Sequence, residues 1–294
     1  NLVWFSPLSF MGQTREIYQN IWNSEPKNIL FIPNTQIKRF SESEAPYYYY
    51  KKMDYIKDSD AVTVIDIGGG STDFVYFKDN IPQMANSVHF GCDVLWENGF
   101  NSFANVKDNG IYLRYASNLR FRRKDLEDLN ECYKNVDAMK TKDIINFWLT
   151  NEKYCDITRL LSNDFKPVFV YHITSILFYM ASMYKENELA ALRTIVFSGN
   201  GSKYIDNVIS TELSALKNII DLVFKHVFGG EHNVNIKLPE ERKESTCYGG
   251  LYRDPNALAV KDVVYQGDKS KDYEKAGDIN ANFNTLKSAL LAKY

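Results

Sequence analysis

The chain has 294 residues, of which 45% are apolar and 24% are charged, so it is long enough for one large or two small globular domains and is not a disordered polypeptide. Its 37 acidic residues against 35 Lys and Arg give a formal net charge of −2, which offers no basic surface for nucleic acid. The four cysteines lie far apart without a C-x-x-C pair, which argues against a zinc site or a disulfide framework and favours a reducing cytoplasmic location.

No signal peptide is recognised, and Asn1 opens the chain without a Met inside an apolar stretch, which suggests a fragment. The longest uncharged run, residues 168–184, is shorter than the ~18–20 residues of a membrane span, so no membrane association is expected. The four histidines are scattered without a partner at ligand spacing and are interpreted as structural.

The N-terminal part of the chain predicts a helix, a short strand and a second helix. Apolar residues at helical spacing indicate a helix over about 8–23, and residues 28–33 (NILFIP) indicate a buried strand. Ser41, with Glu44 three residues later, has the capping-box pattern of a helix that would run to about residue 54. The tyrosine run at 47–50 predicts that this helix packs on several sides.

Residues 62–77 (VTVIDIGGGSTDFVYF) predict two apolar strands joined by a triple-glycine turn, with Asp66 before the turn and Asp73 after it. Glycines allow a positive φ and a close approach of phosphate, and successive N–H groups of such a turn form an anion nest. Two carboxylates beside a phosphate require a cation between them, and Mg²⁺ favours carboxylates, waters and phosphate oxygens. The alternative is a plain glycine hairpin. A third strand is predicted at about 83–89 after a turn at 78–80.

The remaining sequence alternates helices with short strands. The predicted elements are a polar, mostly helical stretch at 93–164 with a basic cluster at 120–124, a helix at 168–185, a strand at 194–198, a helix from about 202, a helix at 213–227, a strand at 234–238, a helix at 243–252, a linker at 266–280 and an amphipathic helix at 281–293. The Gly-x-Gly turn after the second of these strands suits a nucleoside or an α-phosphate, because a helix N-terminus offers free N–H groups.

A strand, Gly-Gly-Gly-[ST] and a second strand resemble the second phosphate motif of the actin, sugar kinase and DnaK-type chaperone ATPase superfamily. A Walker loop or a dinucleotide fingerprint would instead open a helix. Four further segments resemble superfamily motifs, namely residues 43–46 (first interdomain helix), 89–93 (turn into an inserted subdomain), 194–205 (adenosine motif, with Ser198 at its first glycine position) and 243–252 (second interdomain helix). Their order is that of the superfamily, and the resemblance covers roughly residues 5–252.

The resemblance implies an α/β, ribonuclease H-like actin-type ATPase lobe, a mixed sheet with flanking helices and an inserted helical subdomain. Its implied domains are residues 1–60 (C-terminal remnant of a first lobe with an interdomain helix), 61–92 and 165–252 (nucleotide-binding core of the second lobe), 93–164 (inserted subdomain) and 253–294 (linker and C-terminal helix). The superfamily's first phosphate hairpin, Asp-x-Gly-[ST], is not found in the sequence and would precede Asn1.

The resemblance also implies ATP or ADP with Mg²⁺ as ligands. The residues expected to hold the phosphates are Gly68, Gly69, Gly70 and Ser71, and those expected to line the nucleoside are Gly199, Asn200, Gly201 and Ser202. Asp66 and Asp73 would act through Mg²⁺ and its waters, and Asp66 is the candidate catalytic residue that orients the attacking water. Glu44 is either a further ligand of Mg²⁺-bound water or a first-turn acid favoured by the helix dipole. The basic cluster at 120–124 either reaches the adenine or lies on a solvated helix face.

Three functions follow from these features. The first is an ATP-binding module of an actin-like or DnaK-like ATPase that switches between open and closed lobes. The alternatives are a sugar-kinase-like or polyphosphatase-like phosphotransferase and a degenerate, non-catalytic scaffold of the same fold. The full-length protein is expected to hydrolyse ATP and this fragment alone to be inactive. Its expected partners are a nucleotide and either a protein client or further copies of itself, but neither nucleic acid nor membrane.

Overall fold

The structure is a computed structural model, and only part of the chain is described. The described residues are 2–8, 12–30, 37–57, 61–96, 166–189, 192–206, 213–253 and 288. The predicted inserted subdomain beyond residue 96, the basic cluster at 120–124, the linker at 266–280 and all of the predicted C-terminal helix except Ser288 lie outside these residues.

The described elements alternate between strands and helices along most of the chain. In order they are β1 (Leu2–Ser6), α1 (Gly12–Leu30), β2 (Ile37–Ser41), α2 (Ala45–Lys52), β3 (Val62–Ile67), β4 (Thr72–Lys78), β5 (Ile81–Val88), α3 (Asp93–Trp96), α4 (Lys166–Glu186), β6 (Thr194–Ser198), a 3₁₀ helix (Asn200–Lys203), α5 (Leu213–Phe228), β7 (Asn235–Lys237) and α6 (Ser245–Tyr252).

A mixed sheet forms the centre of the described structure, with strand order β5-β4-β3-β6-β7. The first three strands of the chain segment form an antiparallel meander, whereas β6 runs parallel to β3, and β7 runs parallel to β6. The β4–β5 turn holds Asp79 and Asn80 at φ values of 52° and 64°, as a tight two-residue hairpin requires. This topology with flanking helices confirms the predicted α/β fold class.

Each face of the sheet carries its own apolar core, because successive side chains of a strand point to opposite faces. On one face, Ile65 and Ile67 of β3 pack with buried residues of α4 and α5, including Ile173 and Ile220. On the other face, Val62, Val64 and Val196 pack against the tyrosines of α2. The sheet is therefore covered on both sides, which explains why β3 is almost continuously apolar.

The tyrosine run in α2 packs on several sides, as predicted. The ring of Tyr47 stacks on Phe77 with the ring centroids 3.7 Å apart, and Tyr49 stacks on Tyr248 of α6 at 5.5 Å. Tyr50 is fully buried, and its hydroxyl donates a hydrogen bond to the Ser198 hydroxyl at 3.1 Å. Four consecutive aromatic residues thus join the sheet, the end of β6 and a second helix.

The structure corrects the predictions for residues 28–41. Helix α1 continues to Leu30, so the strand predicted at 28–33 is wrong over residues 28–30. A strand that was not predicted, β2, pairs in parallel with β1, and Ser41 lies opposite Ser6 in that pair. Ser41 therefore ends a strand instead of capping a helix, and Glu44 is the residue before α2, without a side-chain cap. A parallel partner far along the chain leaves no local capping pattern to distinguish the two outcomes.

Helices α2 and α6 cross with their backbones in close contact. A Cβ built on Gly249 would collide with the carbonyl group of Ala45, so only glycine allows this crossing. The sequence analysis predicted close packing of these helices through small residues, and the crossing at Gly249 confirms it. Among the described residues, no helix is both long and apolar enough to cross a membrane.

Candidate functional site

Two glycine turns meet where the parallel strands β3 and β6 end. The first turn follows β3 at residues 68–71, and the second follows β6 at residues 199–202. A Cβ on Gly199 would collide with the Asp66 carboxylate, and a Cβ on Gly201 would lie 2.6 Å from the carbonyl oxygen of Ile67. The structure therefore brings the predicted phosphate turn and the predicted nucleoside turn into direct contact. Carboxyl ends of parallel strands are where ligands bind in open α/β sheets.

The glycines of the first turn are not required by backbone conformation. Gly68, Gly69 and Gly70 all lie outside the left-handed region, in contrast to Gly199 at φ 76°. The predicted use of a positive φ at 68–70 is therefore wrong. The Gly68 N–H donates to the Ser71 carbonyl oxygen at 2.9 Å and closes the turn. Among the described residues, the nearest atom that a Cβ on Gly70 would meet is His89 Cε1, at 3.9 Å, an ordinary contact distance.

Gly91 supports this turn from below. A Cβ on Gly91 would collide with the Gly69 carbonyl group and would lie 2.7 Å from the Ser71 nitrogen, so the two segments touch backbone to backbone. The Cys92 N–H donates to the Gly68 carbonyl oxygen at 2.9 Å, and the Thr72 hydroxyl donates to the Phe90 carbonyl oxygen at 2.8 Å. The turn at 89–93, which the resemblance singled out, thus fixes the position of the phosphate turn.

Asp66 and Asp73 face each other across the β3–β4 pair, and Ser198 of β6 lies opposite Asp66 on its other side. Burial raises the pKa of Asp66 to about 7, and the carboxylates of Asp73 and Glu42 add to the shift. The side chain of Asp66 keeps some exposed surface, so it remains accessible from solvent. Three acidic groups therefore converge at one end of the sheet, and their mutual repulsion disfavours full ionisation.

Asp73 is held in place by two serine hydroxyls. Ser43 donates to Oδ2 and Ser87 donates to Oδ1, both at 2.5 Å. Burial raises the pKa of Asp73, and these two hydrogen bonds oppose the shift because they favour the ionised form. Ser43 comes from the segment between β2 and α2, so this bond also connects the N-terminal strand pair to the main sheet.

Glu44 lies buried at the start of α2, next to Arg253. The Glu44 Oε2 and Arg253 Nη2 atoms are 3.6 Å apart, and the Arg253 guanidinium lies 4.3 Å from the centre of the Phe40 ring. This contact gives Glu44 a structural partner at the end of α6. Its role as a ligand of Mg²⁺-bound water stays a prediction.

The nucleoside turn is a short 3₁₀ helix, Asn200–Lys203, that begins two residues before the predicted helix start. Buried Arg242 holds it through three donors, to the Pro239 carbonyl at 2.6 Å, the Ser202 carbonyl at 3.2 Å and the Asp206 carboxylate at 2.6 Å. Gly201 and Ser202 are themselves buried, whereas Asn200 is partly exposed. Within the described part of the chain, Asn200 Oδ1 is a buried acceptor without a hydrogen-bond partner.

Four residues that matter to this site were not identified as such from the sequence. Glu42 approaches the two aspartates, Gly91 supports the phosphate turn, Arg242 holds the nucleoside turn, and buried His172 contacts the support of both turns. Gly91 carried a sequence signal because it lies in the turn at 89–93. The others approach the site from distant elements and carry no local pattern.

The comparisons with known proteins agree with this fold. Residues 40–132, less than half of the chain, match the sequence model of the Ppx/GppA phosphatase family. That family is part of the actin-like ATPase superfamily, so the resemblance predicted from the order of motifs is confirmed. None of the curated proteins matches the chain in sequence.

Similar solved structures include three proteins of different names. The ethanolamine utilization protein EutJ from Carboxydothermus hydrogenoformans is 13% identical with a TM-score of 0.43 over 85% of this chain and 65% of its own. A ROK family glucokinase from Streptomyces griseus, in complex with glucose and AMPPNP, is 12% identical with a TM-score of 0.41 over 78% and 70%. MreB5 of Spiroplasma citri bound to ADP is 14% identical with a TM-score of 0.36 over 84% and 66%. The chain thus spans about two thirds of the length of the first of these proteins, and the likenesses say nothing about activity.

Proposed function

We propose that this chain binds the phosphate groups of ATP at the turn 68–71 together with Mg²⁺, and that it serves as the nucleotide-binding lobe of a cytoplasmic ATPase. The adjacent turn at 199–202 would hold the nucleoside. In this arrangement phosphoryl transfer depends mainly on positioning and electrostatics, which is what a rigid sheet end with two fixed turns provides.

Gly70 is the observation that carries the proposal. It is exposed, its backbone is not left-handed, and the described residues leave ordinary room for a side chain. Neither conformation nor packing within the described residues accounts for a glycine there. Close approach of a ligand to the backbone does account for it, since a Cβ at this point would occupy the space that a phosphate needs.

The acidic residues fit a divalent cation. The pKa of Asp66 is raised by burial and then by Asp73 and Glu42, so unbalanced negative charge gathers beside the turn. Among the described residues, no three His, Cys, Asp or Glu side chains are grouped to hold a metal alone. Mg²⁺ uses one or two carboxylates, waters and phosphate oxygens, so the Asp66–Asp73 pair is a suitable donor set. When bound, the ion would neutralise phosphate charge.

Asp66 is the residue that we assign to the attacking water. With a pKa of about 7, its carboxyl group divides between protonated and ionised forms at neutral pH. A base with a pKa near the working pH both accepts a proton and releases it readily. Asp73, fixed by Ser43 and Ser87, keeps its orientation and would be the more rigid partner.

A second candidate function is hydrolysis of a phosphate chain without a nucleoside. The match of residues 40–132 to a phosphatase family favours it, because the matched segment contains the phosphate turn but not the nucleoside turn at 199–202. The two candidates share the phosphate site and differ in whether the nucleoside turn contributes to affinity. They are therefore distinguished by comparing ATP with inorganic tripolyphosphate.

Isothermal titration calorimetry with Mg-ATP tests the proposal on this chain and on the full-length protein. Gly70→Val is expected to lower affinity at least about 10-fold while leaving the thermal unfolding midpoint close to that of the wild type, because its side chain enters the ligand space alone. Asp66→Ala is expected to weaken binding as well. Equal affinity for ATP and tripolyphosphate would favour the second candidate.

Asp79→Asn is the matched control. It removes a carboxylate from the same β4 hairpin at the opposite end of the strand, roughly 20 Å from Asp73 by the rise per residue, and its positive φ tolerates Asn. Binding is expected to be unchanged in this variant. If the wild type binds neither ligand, or if Gly70→Val and Asp66→Ala bind as the wild type does, the assigned site is wrong.

A further inference from the structure

We propose that His172 is a positioning residue that fixes the phosphate turn and the nucleoside turn relative to each other. The proposal rests on the proposed function, since it concerns how the two halves of that site are held in register. His172 lies on α4, is 2% exposed, and belongs to neither turn. Its two ring nitrogens contact one support of each turn.

The hydrogen bonds of His172 determine its protonation. Nε2 lies 3.2 Å from the Gly91 carbonyl oxygen, and Nδ1 lies 2.9 Å from the Tyr204 hydroxyl. A carbonyl oxygen only accepts, so Nε2 carries the proton and donates to Gly91. Nδ1 of the neutral ring then accepts from Tyr204. Burial lowers the pKa of His172 to about 4, which keeps the ring neutral and this pair of bonds intact at neutral pH.

One bond leads to the phosphate turn. Gly91 touches the backbone of Gly69 and Ser71 so closely that no side chain fits between them. The Phe90 ring stacks on the His172 ring with centroids 4.7 Å apart, which holds the imidazole in its plane. A shift of His172 is therefore transmitted to the turn through one layer of rigid backbone.

The other bond leads to the nucleoside turn. Tyr204 is fully buried and directly follows the 3₁₀ helix, whose last turn its N–H closes by donating to the Ser202 carbonyl. The Tyr204 ring also packs on Phe169 of α4 at 5.2 Å. The Cys92 thiol, beside Gly91, donates to the Gly201 carbonyl at 3.1 Å and is a second link between the two supports.

The geometry gives His172 a function that core packing alone does not require. A phenyl ring would fill almost the same volume, but it would leave the Gly91 carbonyl and the Tyr204 hydroxyl without their partner. A ligand that uses both turns depends on their spacing, whereas a ligand that uses the phosphate turn alone does not. The effect of His172 should therefore differ between ATP and tripolyphosphate.

The experiment measures the affinities of Mg-ATP and Mg-tripolyphosphate for wild type, His172→Phe, His172→Gln and His172→Asn by calorimetry. For His172→Phe we expect a loss of about 10-fold for ATP and of less than about 3-fold for tripolyphosphate, since one or two hydrogen bonds of ~1 kcal/mol are broken. His172→Gln retains a donor toward Gly91, and His172→Asn retains an acceptor toward Tyr204, so each is expected to fall between Phe and wild type. Tyr204→Phe is expected to resemble His172→Asn in size of effect.

His226→Phe, at an exposed position of α5, is the matched control and is expected to change neither affinity. A purely structural role would lower both affinities together with the unfolding midpoint, and an unchanged ratio of the two affinities in all three His172 variants would overturn the proposal. If His172→Phe fails to fold, the Gln and Asn variants carry the test. Wild type that binds tripolyphosphate and ATP equally overturns both this proposal and the nucleoside assignment, whereas wild type that prefers ATP with an unchanged ratio in the variants overturns this proposal alone.

Discussion

At the scale of single residues, the environment of Asp66 departs most from what its side chain would experience in water. It sits opposite Asp73 in one strand pair and opposite Ser198 in the other, with Glu42 nearby. The facing of Asp66 and Asp73 follows from the hairpin register and was predictable, because four residues separate Ile67 from Thr72 only through the turn. The approach of Glu42 was not predictable, since it depends on how the strand pair β1–β2 meets the sheet.

The raised pKa of Asp66 predicts a pH dependence of stability in the absence of Mg²⁺. The folded state binds this proton more tightly than the unfolded chain, whose carboxyl group has the model value of 3.8, so the free energy of unfolding should fall as the pH rises from about 4 to about 7. Asp66→Asn should lose this contribution and become relatively more stable than the wild type at pH 7. Urea denaturation of both proteins at several pH values measures it.

Asp79→Asn again serves as the control, and its difference from the wild type should not follow the same pH course. A difference between wild type and Asp66→Asn that stays constant from pH 4 to pH 7 would contradict the assigned pKa of Asp66.

Gly199 and Gly230 allow conformation and contact to be separated. Both have a left-handed φ, 76° and 73°, but a Cβ on Gly199 would collide with Asp66 whereas one on Gly230 would meet no described atom within 4 Å. Gly230→Ala is expected to cost about 1 kcal/mol of unfolding free energy for backbone strain. Gly199→Ala should cost about 1–3 kcal/mol more, because it also overpacks the contact between the two turns.

Denaturant unfolding of the two alanine variants gives this difference directly. Equal losses would mean that the two turns do not touch at Gly199, and the site geometry would have to be revised.

At the scale of elements, the crossing of α2 and α6 depends on one glycine. Alanine usually favours a helix over glycine by about 1 kcal/mol, but a Cβ on Gly249 would enter the Ala45 carbonyl group. We therefore expect Gly249→Ala to destabilise the protein by about 1–3 kcal/mol despite its better helix propensity. The change is measured by denaturant unfolding, with circular dichroism as the signal.

Leu251→Ala is the control in the same helix, because Leu251 is 75% exposed and its loss should change stability by less than about 0.5 kcal/mol. A stabilising effect of Gly249→Ala would show that helix propensity outweighs the contact, which would contradict the close crossing.

The elements also differ in how far local sequence specified them. The meander β3–β4–β5 and the helices α4 and α5 follow from apolar periodicity and turn residues, and their predicted bounds agree with the structure within a few residues. Residues 28–41 did not follow. The segment NILFIP has the composition of a strand, yet its first three residues extend α1, and the strand forms at IKRFS, where pairing with β1 supplies the hydrogen bonds.

At the scale of the whole molecule, the described structure contains a covered five-stranded sheet and a smaller two-stranded pair. Val64, Val75 and Val196 of the central strands are fully buried between two helical layers. The β1–β2 pair has fewer strands and depends on Trp4 and Phe40 for its buried surface. Two-stranded pairs are only marginally stable by themselves, so stability should be distributed unevenly.

Hydrogen–deuterium exchange measured by mass spectrometry is expected to show this distribution. Peptides covering β3, β4 and β6 should exchange most slowly, at the rate of global unfolding, and peptides covering β1 and β2 should exchange faster. Protection of β1 and β2 equal to that of β3 would instead indicate one cooperative unit, in which the strand pair does not open independently.

The sequence by itself determined the hairpin with its three glycines, the facing aspartates, the order of the strands and helices in the second half of the chain, and the superfamily resemblance. These features are written in neighbouring residues, because periodicity, turns and hairpin register are local. Only the tertiary structure decided that Gly70 needs no glycine for packing among the described residues, that Glu42 joins the aspartates, and that His172 lies between the supports of both turns. His172 is 81 residues from Gly91 and 32 from Tyr204, and contacts at such separations are set by how helices pack on the sheet, which no local pattern records.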